Sequence, residues 1–158
     1  MFRTIVVPVD GSAPARRALD FGAAIAAETA AELEVVTVVG DVRDRDAALG
    51  ELTLIAGELA AQPRCTVLVA DADGGVAPAI AAHVEATPAA MLVMSTHGRG
   101  RSAAVLGSVA DELLELTFGP LIAVGPRASR PRPLGGRVVI PTDGSELADM
   151  AIPLGGAW

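Results

Sequence analysis

The sequence predicts an α/β domain, an open sheet of five parallel strands with helices on both faces. Three observations carry this. Short β-branched runs alternate with longer stretches of helical periodicity along most of the chain. The first of them, Ile5–Val9, is an unbroken apolar run, the mark of a strand covered on both faces. One phrase also occurs twice: Thr4-Ile5-Val6-Val7-Pro8-Val9-Asp10-Gly11-Ser12 returns as Arg137-Val138-Val139-Ile140-Pro141-Thr142-Asp143-Gly144-Ser145. That order ends a buried strand and opens a helix, with Asp or Ser available to cap the first turn. The first copy is followed by a whole α/β unit and the second by a short remainder. The chain therefore divides into a complete unit, residues 1–126, a linker, 127–136, and the opening strand and helix stub of a second copy, 137–158.

Each element has its own signal. Ile5–Val9 is the first strand. Ser12 can cap a helix from Ala13 to about Ala31, with Ala18, Leu19, Gly22, Ile25 and Ala26 on one face. Leu33–Val39 is the second strand, Asp41–Asp46 a charged loop, and Ala47–Ala61 a helix with Leu49, Leu52, Ile55, Ala56 and Leu59 on one stripe. Cys65–Ala70 is the third strand. Asp71-Ala72-Asp73-Gly74-Gly75 has turn chemistry, lacks the remaining ligands of a calcium loop, and precedes a helix over Val76–Glu85. Ala90–Ser95 is the fourth strand. A Gly-, Arg- and Ser-rich loop spans Thr96–Ser102, and a helix runs from about Gly107 to Thr117. Gly119-Pro120 breaks it before the fifth strand, Leu121–Val124. Arg127–Gly136 has the Arg, Pro and Gly content of a linker, which either folds back onto the acidic body or stays solvated.

Composition bounds the partners. The 158 residues suffice for one domain with a proper core and not for two. With no Tyr, one Trp and three Phe, that core is built from Val, Leu, Ile and Ala. A net charge of −7 argues against a nucleic-acid partner, whose phosphates are bound by a surplus of Lys and Arg. Cys65 is the only cysteine, so no intrachain disulfide forms; in a strand it reads as a small apolar side chain. No apolar run approaches the ~20 residues of a membrane span, and no secretory signal opens the chain. The expectation is a cytoplasmic protein without a membrane partner.

Ligands of such sheets bind at the carboxyl ends of the strands, where strand order reverses. Two segments point there: the Pro-x-Asp-Gly-Ser turn, and Met94-Ser95-Thr96-His97-Gly98-Arg99-Gly100-Arg101-Ser102 leading to Gly107-Ser108-Val109. Glycines let the backbone approach a ligand, and the free amides of a helix start favour an anion. Ser108 can donate a hydroxyl, and Arg99 and Arg101 add positive charge. The segment reads as a phosphate cradle or, equally, as a flexible entry into a helix. Asp10 either caps its helix or contacts a ligand, or does both. Asp143 is its equivalent in the repeat, has no glycine loop of its own, and is expected to bind nothing unaided. His97 reads as a loop histidine facing solvent or ligand, and His83 as a surface residue on the third helix. Asp111, Glu112 and Glu115 read as a solvated helix face. The histidines and acids show no metal-ligand spacing.

Taken together, the Val-Pro-Val-Asp-Gly-Ser turn, the strand ending at Val38-Val39, the Met-Ser-Thr-His-Gly loop and Leu-Gly-Ser-Val-Ala-Asp before a helix and a Pro-led strand resemble the universal stress proteins, from Met1 to about Pro126. The resemblance implies a Rossmann-like fold of the adenine nucleotide alpha hydrolase type. It also implies a loop of the form G-x-x-G-x9-G-[ST]. Gly98 fits the second glycine and Gly107-Ser108 the closing pair; Ser95 stands in place of the first glycine, and the second spacing is one residue short. By the same resemblance, Pro8, Val9, Asp10, the backbone of Val38 or Val39, and the loop residues Ser95, His97, Gly98, Arg99, Gly100, Gly107, Ser108 and Val109 would contact ATP or a related adenine nucleotide, with Mg²⁺ beside the phosphates. Subunits of the family pair through their last strand, here Leu121–Val124.

The repeated strand Val138–Pro141 would form an extra C-terminal strand. Exposed, it would invite association, so a homodimer in which Leu121–Val124 and Val138–Pro141 take part is expected, the alternative being a tail left by an incomplete second unit. The leading function is a nucleotide-binding regulatory module, since the chain has no lysine for a Walker-type loop, no activated nucleophile and no paired carboxylates at a set spacing. The alternatives are a slow Mg-dependent ATP hydrolase using His97 and Asp10, and a nucleotide-independent interaction protein with an empty loop.

Overall fold

β1 (Thr4–Pro8), β2 (Glu32–Val39), β3 (Arg64–Val69), β4 (Ala90–Ser95) and β5 (Leu121–Val124) form one parallel sheet in the order β3-β2-β1-β4-β5. The computed structural model describes residues 2–60, 62–70, 74–98, 106–117, 119–129 and 139–156. Pairing runs Thr4 with Glu32 through Pro8 with Val36 on one side of β1, and Thr4 with Ala90 through Val6 with Leu92 on the other. The chain builds outward from β1 to β3, then returns to add β4 and β5 on the opposite side. Strand order therefore reverses between β1 and β4, which opens a crevice there.

The apolar runs are covered on both faces, as expected. Ile5, Val6 and Val7 are fully buried. Ile5, Val7, Leu33, Val35, Met91 and Val93 pack against α1 (Ala13–Thr29) and α2 (Arg45–Gly57). Val6, Val36, Leu92 and Met94 pack against α3 (Val76–Ala86) and α4 (Ser108–Leu116). In α1 the side chain of Ser12 accepts from the Ala15 amide at 3.3 Å, and Ala15, Ala18, Leu19, Gly22, Ile25 and Ala26 are the buried face. Gly22 is required by a close approach to β1: a Cβ there would lie 2.4 Å from Cγ2 of Val7.

Three boundaries depart from the sequence reading. The charged stretch after β2 is a helix entry and not a loop. Asp41 accepts from the Arg43 amide at 2.8 Å and caps a short 3-10 turn, Val42–Asp44, which runs directly into α2. Within α2 the buried residues are Leu52 and Ala56, while Leu49 at the expected stripe's edge is 39 % exposed. The linker begins on the body: Arg17 Nη1 donates to the Pro126 carbonyl at 2.8 Å, and Ala128 packs against the α1 side of the core. Arg130 and Arg132 lie outside the described residues.

The extra C-terminal strand is not formed. Val139, Ile140 and Pro141 pair with no strand, and Val138 lies outside the described residues. Two short helices follow the repeated phrase, α5 (Glu146–Asp149) and α6 (Ala151–Gly156). A helix cap needs only near neighbours, whereas a strand exists by its ladder partners. No helix among the described residues is long and apolar enough to cross a membrane.

A candidate ligand cleft at the carboxyl edge of the sheet

A cleft of about 580 Å³ opens along the carboxyl ends of β2, β1 and β4. Pro8, Val9, Asp10, Val38, Val39, Ser95, His97, Gly98, Gly107, Ser108 and Val109 all line it. Arg99 and Gly100, like Arg101, lie outside the described residues. The sequence reading thus placed in one hollow residues separated by a hundred positions. Their spacing is close. A Cβ on Gly107 would lie 3.8 Å from the Gly98 nitrogen, and one on Gly98 would lie 3.5 Å from Asp10 Oδ2.

Local hydrogen bonds build each rim. Asp10 Oδ1 accepts the Ser12 amide at 2.9 Å, so Asp10 fixes the turn while Ser12 does the capping. Gly11 completes that turn at φ +79°, a conformation glycine adopts without strain. Across the cleft, the Ser95 hydroxyl donates to the His97 carbonyl at 2.7 Å and accepts the His97 amide at 3.2 Å. Ser95 is not in a left-handed conformation, so a glycine is not required there, and its hydroxyl ties the loop instead. Gly107 donates its amide to the Thr96 carbonyl at 2.9 Å and leads into α4. Among the described residues α4 begins without a side-chain cap, and its first amides lie at the positive end of the helix dipole.

His97 lines the cleft with its Nδ1 2.7 Å from Thr96 Oγ1. Among the described residues its Nε2 is buried without a hydrogen-bond partner. The side chain of Thr96 also donates to the Val124 carbonyl at 3.3 Å, which joins the loop to β5.

Two features were not legible beforehand. The first is a helical stripe of α2, Ala48, Glu51, Leu52 and Ile55, which forms the wall of the cleft beyond Val38 and Val39. The second lies away from the cleft. Glu34, inside a run read as apolar, is 1 % exposed. It accepts from Thr66 Oγ1 at 2.6 Å and Arg64 Nη2 at 2.7 Å, and His83 Nε2 lies 3.2 Å away. Burial pushes the Glu34 carboxyl up, but the bonds from Thr66 and Arg64 and the charge of His83 outweigh it and hold it below the ordinary glutamate range. His83 is accordingly a half-buried partner of the sheet and not the surface residue its sequence context suggested. Asp111, Glu112 and Glu115 are exposed, as expected. Asp71 and Asp73 lie outside the described residues. Cys65 is half-buried against the α2 side of the core, and burial pushes its thiol up.

The model of the universal stress protein family matches residues 1–125. No curated protein matches the chain. Among solved structures, a universal stress protein from Archaeoglobus fulgidus is 25 % identical, with a TM-score of 0.60 over 78 % of this chain and 98 % of that one. A universal stress protein in complex with cAMP is 24 % identical, at TM-score 0.60 over 78 % and 97 %. A further Archaeoglobus fulgidus universal stress protein, in complex with dAMP, is 18 % identical, at TM-score 0.59 over 78 % and 97 %. With the family matched across the whole five-stranded unit, this chain belongs to the universal stress protein family.

Proposed function

We propose that the cleft binds an adenine nucleotide and that the protein acts as a nucleotide-responsive regulatory module in stress response, in the cytoplasm and without a catalytic step. The observation that carries this is the convergence of Gly98, Gly107 and Asp10 on one hollow, together with the uncapped start of α4. The arrangement fits such a ligand. Small residues leave the cradle open, backbone amides of Ser108 and Val109 offer donors to phosphate oxygens, and the Ser108 hydroxyl adds one more. Asp10 lies on the same rim and is a carboxylate to which a ribose hydroxyl can donate. The backbone at Val38 and Val39, which also line the cleft, would contact the base. Arg99 and Gly100 belong to the same reading through the loop they share. ATP is one ligand of this class, and a magnesium ion would accompany its phosphates, held by their oxygens and water. Family members bearing cAMP and dAMP support the nucleotide class.

Association follows from the sheet. β5 is an edge strand, and α4 beside it carries exposed Leu114 and Leu116. We infer a homodimer through Leu121–Val124, with Val139–Pro141 as an additional contact. Light scattering at micromolar concentration tests it, and a monomer refutes it.

Heat release followed by mass spectrometry tests the ligand: an adenine nucleotide at about one per chain is expected, or a melting shift on adding AMP or ATP. Gly107→Val is expected to abolish the shift. A Cβ at 107 itself meets only ordinary contacts, the nearest being the Thr96 carbonyl at 3.4 Å, and an unchanged melting temperature without ligand verifies that the fold accommodates the larger side chain. An unchanged shift would place the ligand elsewhere.

A further inference from the structure

The cleft is asymmetric, and its asymmetry identifies the residue that selects the base. The anion-favouring end lies at the β4–α4 junction, with Gly98, Gly107 and Ser108. The other end lies past Val38 and Val39, under α2. In the strand order β2-β1-β4, two strand spacings separate these ends, roughly 10 Å. That is the span of a nucleoside monophosphate with its phosphate at α4 and its base against α2. Ala48, Glu51, Leu52 and Ile55 recur at helical spacing and so present one face of α2 to this end. Three of the four are apolar, which suits a planar ring. The fourth is a carboxylate. Among the described residues Glu51 makes no hydrogen bond or ion pair, in contrast to Asp10, whose Oδ1 is engaged by Ser12. An unengaged carboxylate beside the apolar side chains of α2 accepts from a donor on the ring edge and disfavours a ring that has none.

The geometry points to Glu51 as the base-selecting residue: it accepts a hydrogen bond from the 6-amine of an adenine base, and so distinguishes 6-aminopurines from purines without an amine at that position. This rests on the proposed reading of the cleft as a nucleotide site.

Isothermal titration of the full chain with AMP, GMP and purine riboside 5′-monophosphate, which lacks only the 6-amine of AMP, tests the assignment. In the wild type AMP is expected to bind roughly tenfold or more tightly than the amine-free analogue, as a hydrogen bond to a charged acceptor implies. In Glu51→Ala the AMP affinity falls by about that factor, the analogue is unchanged, and the two converge. Glu51 is exposed on α2, so the variant keeps its fold, which an unchanged melting temperature verifies. An AMP-to-analogue ratio that survives Glu51→Ala overturns the assignment while leaving the site in place. Tighter binding of GMP than of AMP overturns it as well. If none of the three binds the wild type, the nucleotide reading of the cleft falls, and the role of Glu51 with it.

Discussion

A Cβ built on Gly22 would sit 2.4 Å from Cγ2 of Val7, whereas one built on Gly50 meets nothing within 4 Å. Both residues lie inside helices, so both carry the backbone-entropy penalty of glycine. The same substitution should therefore move stability in opposite directions. Gly22→Ala pushes a stiff β-branched side chain of the central strand and is expected to cost about 1–3 kcal/mol. Gly50→Ala, on the open face of α2, is expected to add about 0.5–1 kcal/mol. Urea unfolding of the two variants against wild type measures both signs. Glu34 gives a second prediction at this scale. Its folded value lies below the ordinary one, so its contribution is present above about pH 4.3 and is lost as pH falls through the folded value. Glu34→Gln should cost about 1–3 kcal/mol at neutral pH, and the gap to wild type should close as the solution is acidified below pH 4 or so. A gap that stays constant with pH would mean that the charge of Glu34 contributes nothing.

The two copies of the Asp-Gly-Ser turn separate what a peptide specifies locally from what a fold must supply. Ser145 repeats the geometry of Ser12 almost bond for bond. Asp143 Oδ1 accepts the Ser145 amide at 2.9 Å, the Ser145 hydroxyl accepts from Ala148 at 3.1 Å, and Gly144 takes φ +82°. The side chain and amide of Ser145 hold the Asp143 carboxyl below the usual aspartate range. The flanking apolar residues do not repeat their burial. Val139 is 78 % exposed where its counterpart Val6 is fully buried, and Ile152 is 49 % exposed where Leu19 is 3 %. Ser12→Ala should thus cost about 1 kcal/mol of global stability, while Ser145→Ala leaves the main unfolding transition where it is. Far-UV and urea melts of the pair check this. The same contrast explains what could be read in advance. Strand ends, the buried face of α1 and the glycine loop at Gly98, Gly107 and Ser108 follow from periodicity and turn chemistry within a few positions, whereas Val38 and Val39 follow from the family resemblance. Glu34 does not, because Arg64 and Thr66, which satisfy it, come from 30 and 32 residues further on. Glu51 looks like any solvated helix position until α2 is laid over the end of β2.

Every part of the cleft comes from the unit that ends before the linker, and so does every strand of the sheet. After β5 the chain touches the body through the Pro126 carbonyl, which accepts from Arg17, and through Ala128, which packs against the α1 side of the core. Removing residues 130–158 should therefore leave the cooperative melt within a few degrees of the full chain, since no described residue of the buried core is lost. The nucleotide-induced shift should persist in that shortened chain, because shift and cleft share the same residues. Its oligomeric state then separates the two edges that could associate. If the shortened chain remains a dimer, β5 with Leu114 and Leu116 is sufficient, and Val139–Pro141 only decorates the interface. If it becomes a monomer while melting and shifting as before, the second copy of the turn is the associating element, and its exposed Val139 and Ile152 are where the partner subunit docks.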